Sequence, residues 1–152
     1  MKIAVCVKWV PVVARMKFDP ETKRVIREGV PNELNAYDAL SVQRAVELKQ
    51  SHSAEVVVFT MGPPNARDGL VRSLAMGADR AYHIIDPALA GSDTLATARA
   101  LAWALCREQF DLLLFGNSSV DAETGQVGPE VAELMGIPQI TSVQLLEILD
   151  HG

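Results

Sequence analysis

The run Gly116–Asn117–Ser118–Ser119–Val120–Asp121–Ala122–Glu123–Thr124–Gly125–Gln126–Val127–Gly128–Pro129 sets glycines, hydroxyls, amides and carboxylates in one short stretch. It follows the apolar residues 111–115 and leads into a helix-like pattern beginning near Glu130. A buried strand that opens into a polar, glycine-containing loop and then a helix is where an open α/β sheet places a nucleotide or its phosphates. Gly116, Gly125 and Gly128 permit close backbone approach, and Pro129 suits the first turn of a helix. Amides from 126–128 are therefore expected to face an anion. Thr124 and Gln126 offer hydrogen bonds without negative charge and are the better direct contacts. Asp121 would repel a phosphate at close range, so its expected role is to organise the loop beside a ligand, with a purely structural turn as the alternative.

A second cluster is Asp93–Thr94–Leu95–Ala96–Thr97. Thr94 and Thr97 share a face at the start of a helix. The segment reads either as capping with small-residue packing or as a contact for a second nucleotide moiety or flavin. Neither GxGxxG nor GxxxxGK[ST] occurs, and no nucleophile–base pair is evident, so no catalytic residue is assigned. His52, His83 and His151 lack metal-ligand spacing, and no metal site is assigned. His83 reads as strand-side packing. Redox chemistry carried by a bound flavin suits such a chain, because the protein then supplies position and electrostatics.

The elements that must position these residues follow from hydropathy. The expected strands are Ile3–Val7, Glu55–Thr60, Ala81–Ile85 and Asp111–Phe115. Helices are expected after a cap at Asn35 or Asp38 (apolar set Leu40, Val42, Ala45, Val46, Leu48), over 66–76 with Gly77 as its C-terminal cap, over Leu95–Arg107, and from near Glu130 to 135. Residues 18–29 read as an excursion, with a hairpin turn at Asp19–Pro20–Glu21–Thr22, and Ile137–Val143 as a further extended segment. Short aliphatic strands alternating with helices give an α/β fold: an open, mostly parallel sheet flanked by helices, Rossmann-like, with loops after the first, second and fourth strands on one edge.

Hydrophobic residues make up 49% and aromatics 5%, so the core is expected to be aliphatic, in one domain spanning 1–152. Nineteen acidic against 14 basic residues, a formal charge of −5, argue against a nucleic-acid surface. No apolar run is long enough for a membrane span, and the N-terminus lacks signal-peptide features. Cys6 and Cys106 read as reduced core thiols of a cytoplasmic protein. Trp9 reads as ligand-edge or core cover, and Trp103 as helix packing.

With these motifs in order, the chain resembles the small, beta subunits of electron transfer flavoproteins. The resemblance rests on Val7–Lys8–Trp9–Val10–Pro11, Arg27–Glu28–Gly29–Val30–Pro31, Asn35–Ala36–Tyr37–Asp38, Met61–Gly62–Pro63–Pro64, Ala75–Met76–Gly77–Ala78–Asp79–Arg80, Gly91–Ser92–Asp93–Thr94–Leu95–Ala96–Thr97 and Asp121 through Glu130. It implies an electron-carrier subunit rather than a stand-alone enzyme. Its larger alpha partner would carry most contacts to the electron-transferring FAD, and the small subunit would hold AMP or, in electron-bifurcating members, a second FAD. It implies a flavin-dependent dehydrogenase as donor and a quinone reductase or related protein as acceptor. By position, the nucleotide pocket would use Cys6, Asn35, Ala36, Tyr37, Asp38, Met61 and Gly116 through Val127, that is Gly116, Asn117, Ser118, Ser119, Val120, Asp121, Ala122, Glu123, Thr124, Gly125, Gln126 and Val127. Asp93, Thr94 and Thr97 resemble the bifurcating subgroup and would contact its second flavin, with NADH oxidation there.

Three departures from the family pattern stand out. Asn117 and Ser118 replace a usual basic residue and glutamine, which removes one long-range attraction for phosphate. Val12 stands where an acidic residue is frequent. The chain is expected to lack the C-terminal arm with which small subunits embrace the larger one. A non-redox adenine-nucleotide-binding regulatory domain is the reading from a different class. Altering Asp121 or Gln126 should reduce nucleotide retention more than core stability, measured by ligand content after purification against a urea melt. Unchanged retention in both variants would contradict the pocket.

Overall fold

The computed structural model describes residues 1–15, 17–19, 21, 24–26 and 29–149. In chain order its elements are β1 (Lys2–Cys6), β2 (Trp9–Pro11), β3 (Lys17–Asp19), β4 (Arg24–Ile26), β5 (Asn32–Leu34), α1 (Ala36–His52), β6 (Glu55–Met61), α2 (Arg67–Ala75), β7 (Arg80–Ile84), α3 (Thr94–Leu105), β8 (Leu112–Phe115) and α4 (Val127–Met135). The apolar runs β1, β6, β7 and β8 make one four-stranded sheet in the order β7-β6-β1-β8. Every neighbouring pair in it is parallel, with Ile3 opposite both Val56 and Leu112. The fold is α/β and Rossmann-like, as the strand–helix alternation predicts.

Parallel strands buried on both faces explain the unbroken aliphatic runs. Alternation of side chains then divides the core into two layers. Ile3, Val5, Val56 and Val58 meet Val42, Ala45 and Leu48 of α1 and Leu70 of α2. Ala4, Cys6, Val57 and Phe59 face Ala98, Leu101 and Leu105 of α3 and Val131 of α4. Chain order runs from β1 outward through β6 to β7, whereas β8 lies on the other side of β1. The order therefore reverses between β1 and β8, and the crevice beyond their carboxyl ends is the place such sheets reserve for ligands.

The opposite, amino edge is tied by charge. Asp111 accepts from Lys2 N at 2.7 Å and donates its own amide to Lys2 O at 2.9 Å. Asp79 does the same for Val56, at 2.9 Å in each direction. Around them Glu108 takes bonds from Lys2 (3.0 Å), Arg80 (2.8 Å) and Tyr82 (2.6 Å), and Arg80 also reaches Glu55 at 2.6 Å. Bonds from Arg80, Tyr82 and Lys2 hold the Glu108 carboxyl far below the usual range.

Several expectations change. Cys106 is exposed rather than in the core, because it follows the last turn of α3. Trp103 is 65% exposed, with the Arg107 guanidinium 4.8 Å from its ring centre, so it does not pack as core. Leu40 likewise faces outward at 62% exposure. The 137–149 segment contains no strand, and Ile140 is 86% exposed. Its backbone is held at Leu146 O by the Arg44 guanidinium of α1. β3 and β4 form the expected antiparallel hairpin, while Pro20 and Thr22 of its turn lie outside the described residues. The β2–β5 antiparallel pair was not expected; it joins Trp9 to Leu34. Trp9 packs on the core over Gly69, where an added Cβ would stand 3.1 Å from the ring. Among the described residues, no helix is long and apolar enough to cross a membrane.

Leu105 and Trp103 lie on opposite sides of α3 and should separate in unfolding experiments. Leu105→Ala is expected to cost about 2–5 kcal/mol by urea denaturation, because its site is fully buried. Trp103→Ala should change stability by only about 0.5 kcal/mol, as an exposed position does. Equal losses would contradict the assignment of the two faces.

Candidate functional site

The crevice at the reversal point is built from the ends of β1 and β8, the start of α1 and the loop that follows β8. A cleft of about 1690 Å³ opens there. It exceeds an ordinary ligand site because it continues along β8 to residues 137–143 and 146. Cys6, Asp38 and Met61 line it from the sheet side, and Asp93, Thr94 and Thr97 from α3. The loop lines it with 116–119, Ala122 and 124–127. Asn35, Ala36, Tyr37, Val120, Asp121 and Glu123 are not among its lining residues. A smaller hollow of about 760 Å³ lies near Tyr82, Trp103 and Arg107, and none of the predicted site residues lines it.

The polar part of the site centres on two buried side chains. Asp38, 6% exposed, accepts from Lys8 N at 2.7 Å. The Asn35 side chain and the Gly116 backbone also lie beside it and favour its ionised form. Burial is the larger influence and outweighs these donors, so its carboxyl is pushed up to about 6. Gly116 must be bare here: an added Cβ would stand 2.2 Å from Asp38 Oδ1 and 2.8 Å from Asp38 N. Asn35, 1% exposed, precedes α1 but makes no side-chain cap. Its amide Nδ2 instead donates to Ser118 O at 2.9 Å, and its Oδ1 accepts from Val120 N at 3.1 Å. Cys6 is buried beneath, and burial followed by the nearby Asp38 carboxylate raises its thiol well above the ordinary range. It remains a protonated thiol at neutral pH and offers no nucleophile.

Lys8 is the residue that sequence reasoning missed. Its Nζ donates to Asp121 Oδ1 at 2.7 Å, Asp121 Oδ2 at 3.0 Å and Ser119 Oγ at 3.3 Å. Partial burial opposes ionisation of Asp121, but the bonds from Lys8 and Ser119 prevail and hold its carboxyl below the ordinary value. Lys8 is the one cationic side chain among the described residues lining the cleft. The available signal was its position, a lysine directly after the apolar run that ends at Val7.

The other end of the loop is fixed against α3. Asp93 caps that helix, accepting from Ala96 N at 2.8 Å, in line with the capping reading of this segment. Thr94 Oγ1 donates to Glu130 Oε1 at 3.0 Å and lies 3.3 Å from Gln126 Oε1. Thr97 Oγ1 donates back to Asp93 O at 2.8 Å. Between these anchorages Gly125 has φ +64, a conformation that a side chain would strain. α4 begins at Val127, earlier than the periodicity places it, so Val127 and Gly128, both lining the cleft, stand in its first turn.

Comparisons with known proteins agree on one family. A family model described as the electron transfer flavoprotein domain matches residues 22–152. The electron transfer flavoprotein subunit beta of Clostridium acetobutylicum is 44% identical over 148 residues, which are 97% of this chain and 57% of that protein. The subunit of the same name from Megasphaera elsdenii is 45% identical over 156 residues, covering 97% and 58%. The caffeyl-CoA reductase-Etf complex subunit CarD of Acetobacterium woodii is 43% identical over 152 residues, covering 99% and 58%. The chain thus spans somewhat over half the length of these curated relatives.

Asp38 gives the site a pH signature. Its folded value near 6 exceeds the ordinary 3.8, so the folded chain holds this proton more tightly than the unfolded one. The resulting stability is complete below the unfolded value and is lost as pH rises through the folded value. The difference in unfolding free energy between wild type and Asp38→Asn should shift by about 3 kcal/mol between roughly pH 4 and 6, against the wild type as pH rises. Urea titrations across that window measure it. A flat difference would mean that the carboxyl ionises as if in water.

Proposed function

Because the chain belongs to the electron transfer flavoprotein family, we propose that it forms the nucleotide-binding part of a small subunit of such a carrier. The observation that carries this reading is the cleft at the point where the strand order reverses, walled by the glycine-containing loop after β8. The residues present suit an adenine nucleotide. Ser118, Ser119 and Thr124 bring hydroxyls, Val127 and Gly128 bring the amides of a helix start, and Lys8 brings a single positive charge. The occupant in this reading is AMP, with a second FAD as the alternative. FAD, when bound, supplies the electron chemistry; this chain's residues bind, orient and exclude water.

The wider reading is a heterodimer with an electron transfer flavoprotein alpha subunit that holds the transferring FAD. Electrons would pass from a flavin-dependent dehydrogenase to a quinone reductase or related acceptor, in the cytoplasm. Residues 1–152 would act as one domain within it. A two-flavin, electron-bifurcating form that oxidises NADH is favoured by one observation, that the cleft extends to Asp93, Thr94 and Thr97. The relation to a subunit of a caffeyl-CoA reductase-Etf complex makes an acyl-CoA reductase a further candidate partner.

The test is to purify the native complex, release its ligands under denaturing conditions and quantify FAD and AMP per assembly. One FAD with one AMP is the expected result. Two FAD with negligible AMP would select the bifurcating form. Absence of both flavin and a larger partner would overturn the redox function and leave a nucleotide-binding regulator.

A further inference from the structure

Resemblance groups Asn35 with the residues that touch the nucleotide, but its surroundings turn it toward the loop instead. It is 1% exposed and does not line the cleft. Its Nδ2 donates to Ser118 O at 2.9 Å, and the side chain also borders the Asp38 carboxyl. Its Oδ1 already accepts from Val120 N, and its backbone is bound at both ends, to Lys8 O (3.0 Å) and Ala39 N (2.9 Å). With one bond donated and one accepted, the carboxamide grips the main chain of the loop at two points, on either side of Ser119.

Among the described residues two side chains of the body bond the 116–121 stretch, Asn35 at 118 and 120 and Lys8 at 119 and 121, while Asp38 abuts Gly116. They are not equivalent. The Lys8 side chain is 45% exposed, and an ion pair in water contributes little to fixing a loop. Asn35 itself is 1% exposed, so leaving its donor or acceptor unmet is costly. Asn35 therefore does most to fix the loop's path past the cleft. Resting on the nucleotide-binding reading above, we infer that Asn35 is a positioning residue: it sets ligand affinity by pre-forming the 118–120 backbone and makes no contact with the ligand itself.

The test compares wild type with Asn35→Ala and Asn35→Ser. Serine is a good residue before a helix, so the second variant preserves the start of α1 while being too short to reach the loop. Two quantities are measured on the full chain: the Kd for AMP, with FAD as a parallel probe, and amide hydrogen exchange without ligand. The expected result is a Kd weakened at least about tenfold in both variants. Amides of 118–121 should exchange faster while those of β1 and β6 keep their protection. Unchanged affinity would overturn the inference, whatever the loop does. So would a uniform rise in exchange that includes β1 and β6, because Asn35 would then be an ordinary core residue. If wild type binds neither AMP nor FAD, it is the proposed function that fails. The exchange comparison then judges the clamp alone and rejects it if 118–121 is unaffected.

Discussion

A buried polar group must be hydrogen-bonded, and the upper edge of this protein is organised around meeting that demand twice. Asp38 and Asn35 are taken almost wholly out of water at the start of α1. Together they require donors and acceptors that water cannot provide. The chain supplies them from its own backbone, at Lys8 for the carboxylate, which Gly116 packs against, and at Ser118 and Val120 for the carboxamide. Those four positions are the exits of the two strands flanking the reversal point and the first half of the loop beyond. The shape of the cleft follows from satisfying two side chains, rather than from any regular secondary structure of its own.

The parallel sheet separates this work from the rest of the stability problem. Every strand of the main sheet runs the same way, so all carboxyl ends share one edge and all amino ends the other. The amino edge is spanned by charged groups: Lys2, Glu55, Asp79, Arg80, Glu108 and Asp111 either pair with one another or clasp a neighbouring strand. Asp79 and Asp111 use the same two-bond clasp on opposite sides of the sheet, one at the entry to β7 and the other at the entry to β8. Among the described residues lining the cleft at the carboxyl edge, the one cation is Lys8, paired with Asp121, beside the glycines and hydroxyls of the loop. Such an edge can receive a ligand without loosening the core beneath it.

The fold was legible because it depends on hydropathy over whole segments, and valine-rich runs such as Val56–Val57–Val58 have few alternatives to a buried strand. Short elements were less visible. β2 and β5 have three residues each, too few for alternation to register, and their pairing is decided by the loop around them. The start of α4 at Val127 was obscured by Gly128 and Pro129, which signal breaks inside a helix but are compatible with its first turn. Trp103 and Cys106 were misread for a different reason. Composition says that an alanine-rich helix packs, but not which of its apolar residues lies beyond the contact. The loop 116–127 was recognisable as a site from its residue types, while Lys8 was not, since its bond to Asp121 joins residues 113 apart. Asn35 was singled out by position in a motif, and only the geometry distinguishes gripping a loop from touching a ligand.

The closeness of Gly116 to Asp38 has an evolutionary reading. Position 116 has no room for a side chain while an aspartate occupies position 38, and the obstruction includes main-chain atoms of α1 as well as the carboxylate. Neither residue is free to drift alone. A lineage that replaced the glycine would need a smaller residue at 38 together with a displaced first turn of α1, whereas a lineage that changed 38 would lose the acceptor that keeps the strand exits together. The glycine is therefore demanded by the backbone of α1 as well as by the carboxylate, and the first turn of that helix sets how close the exit of β8 can run.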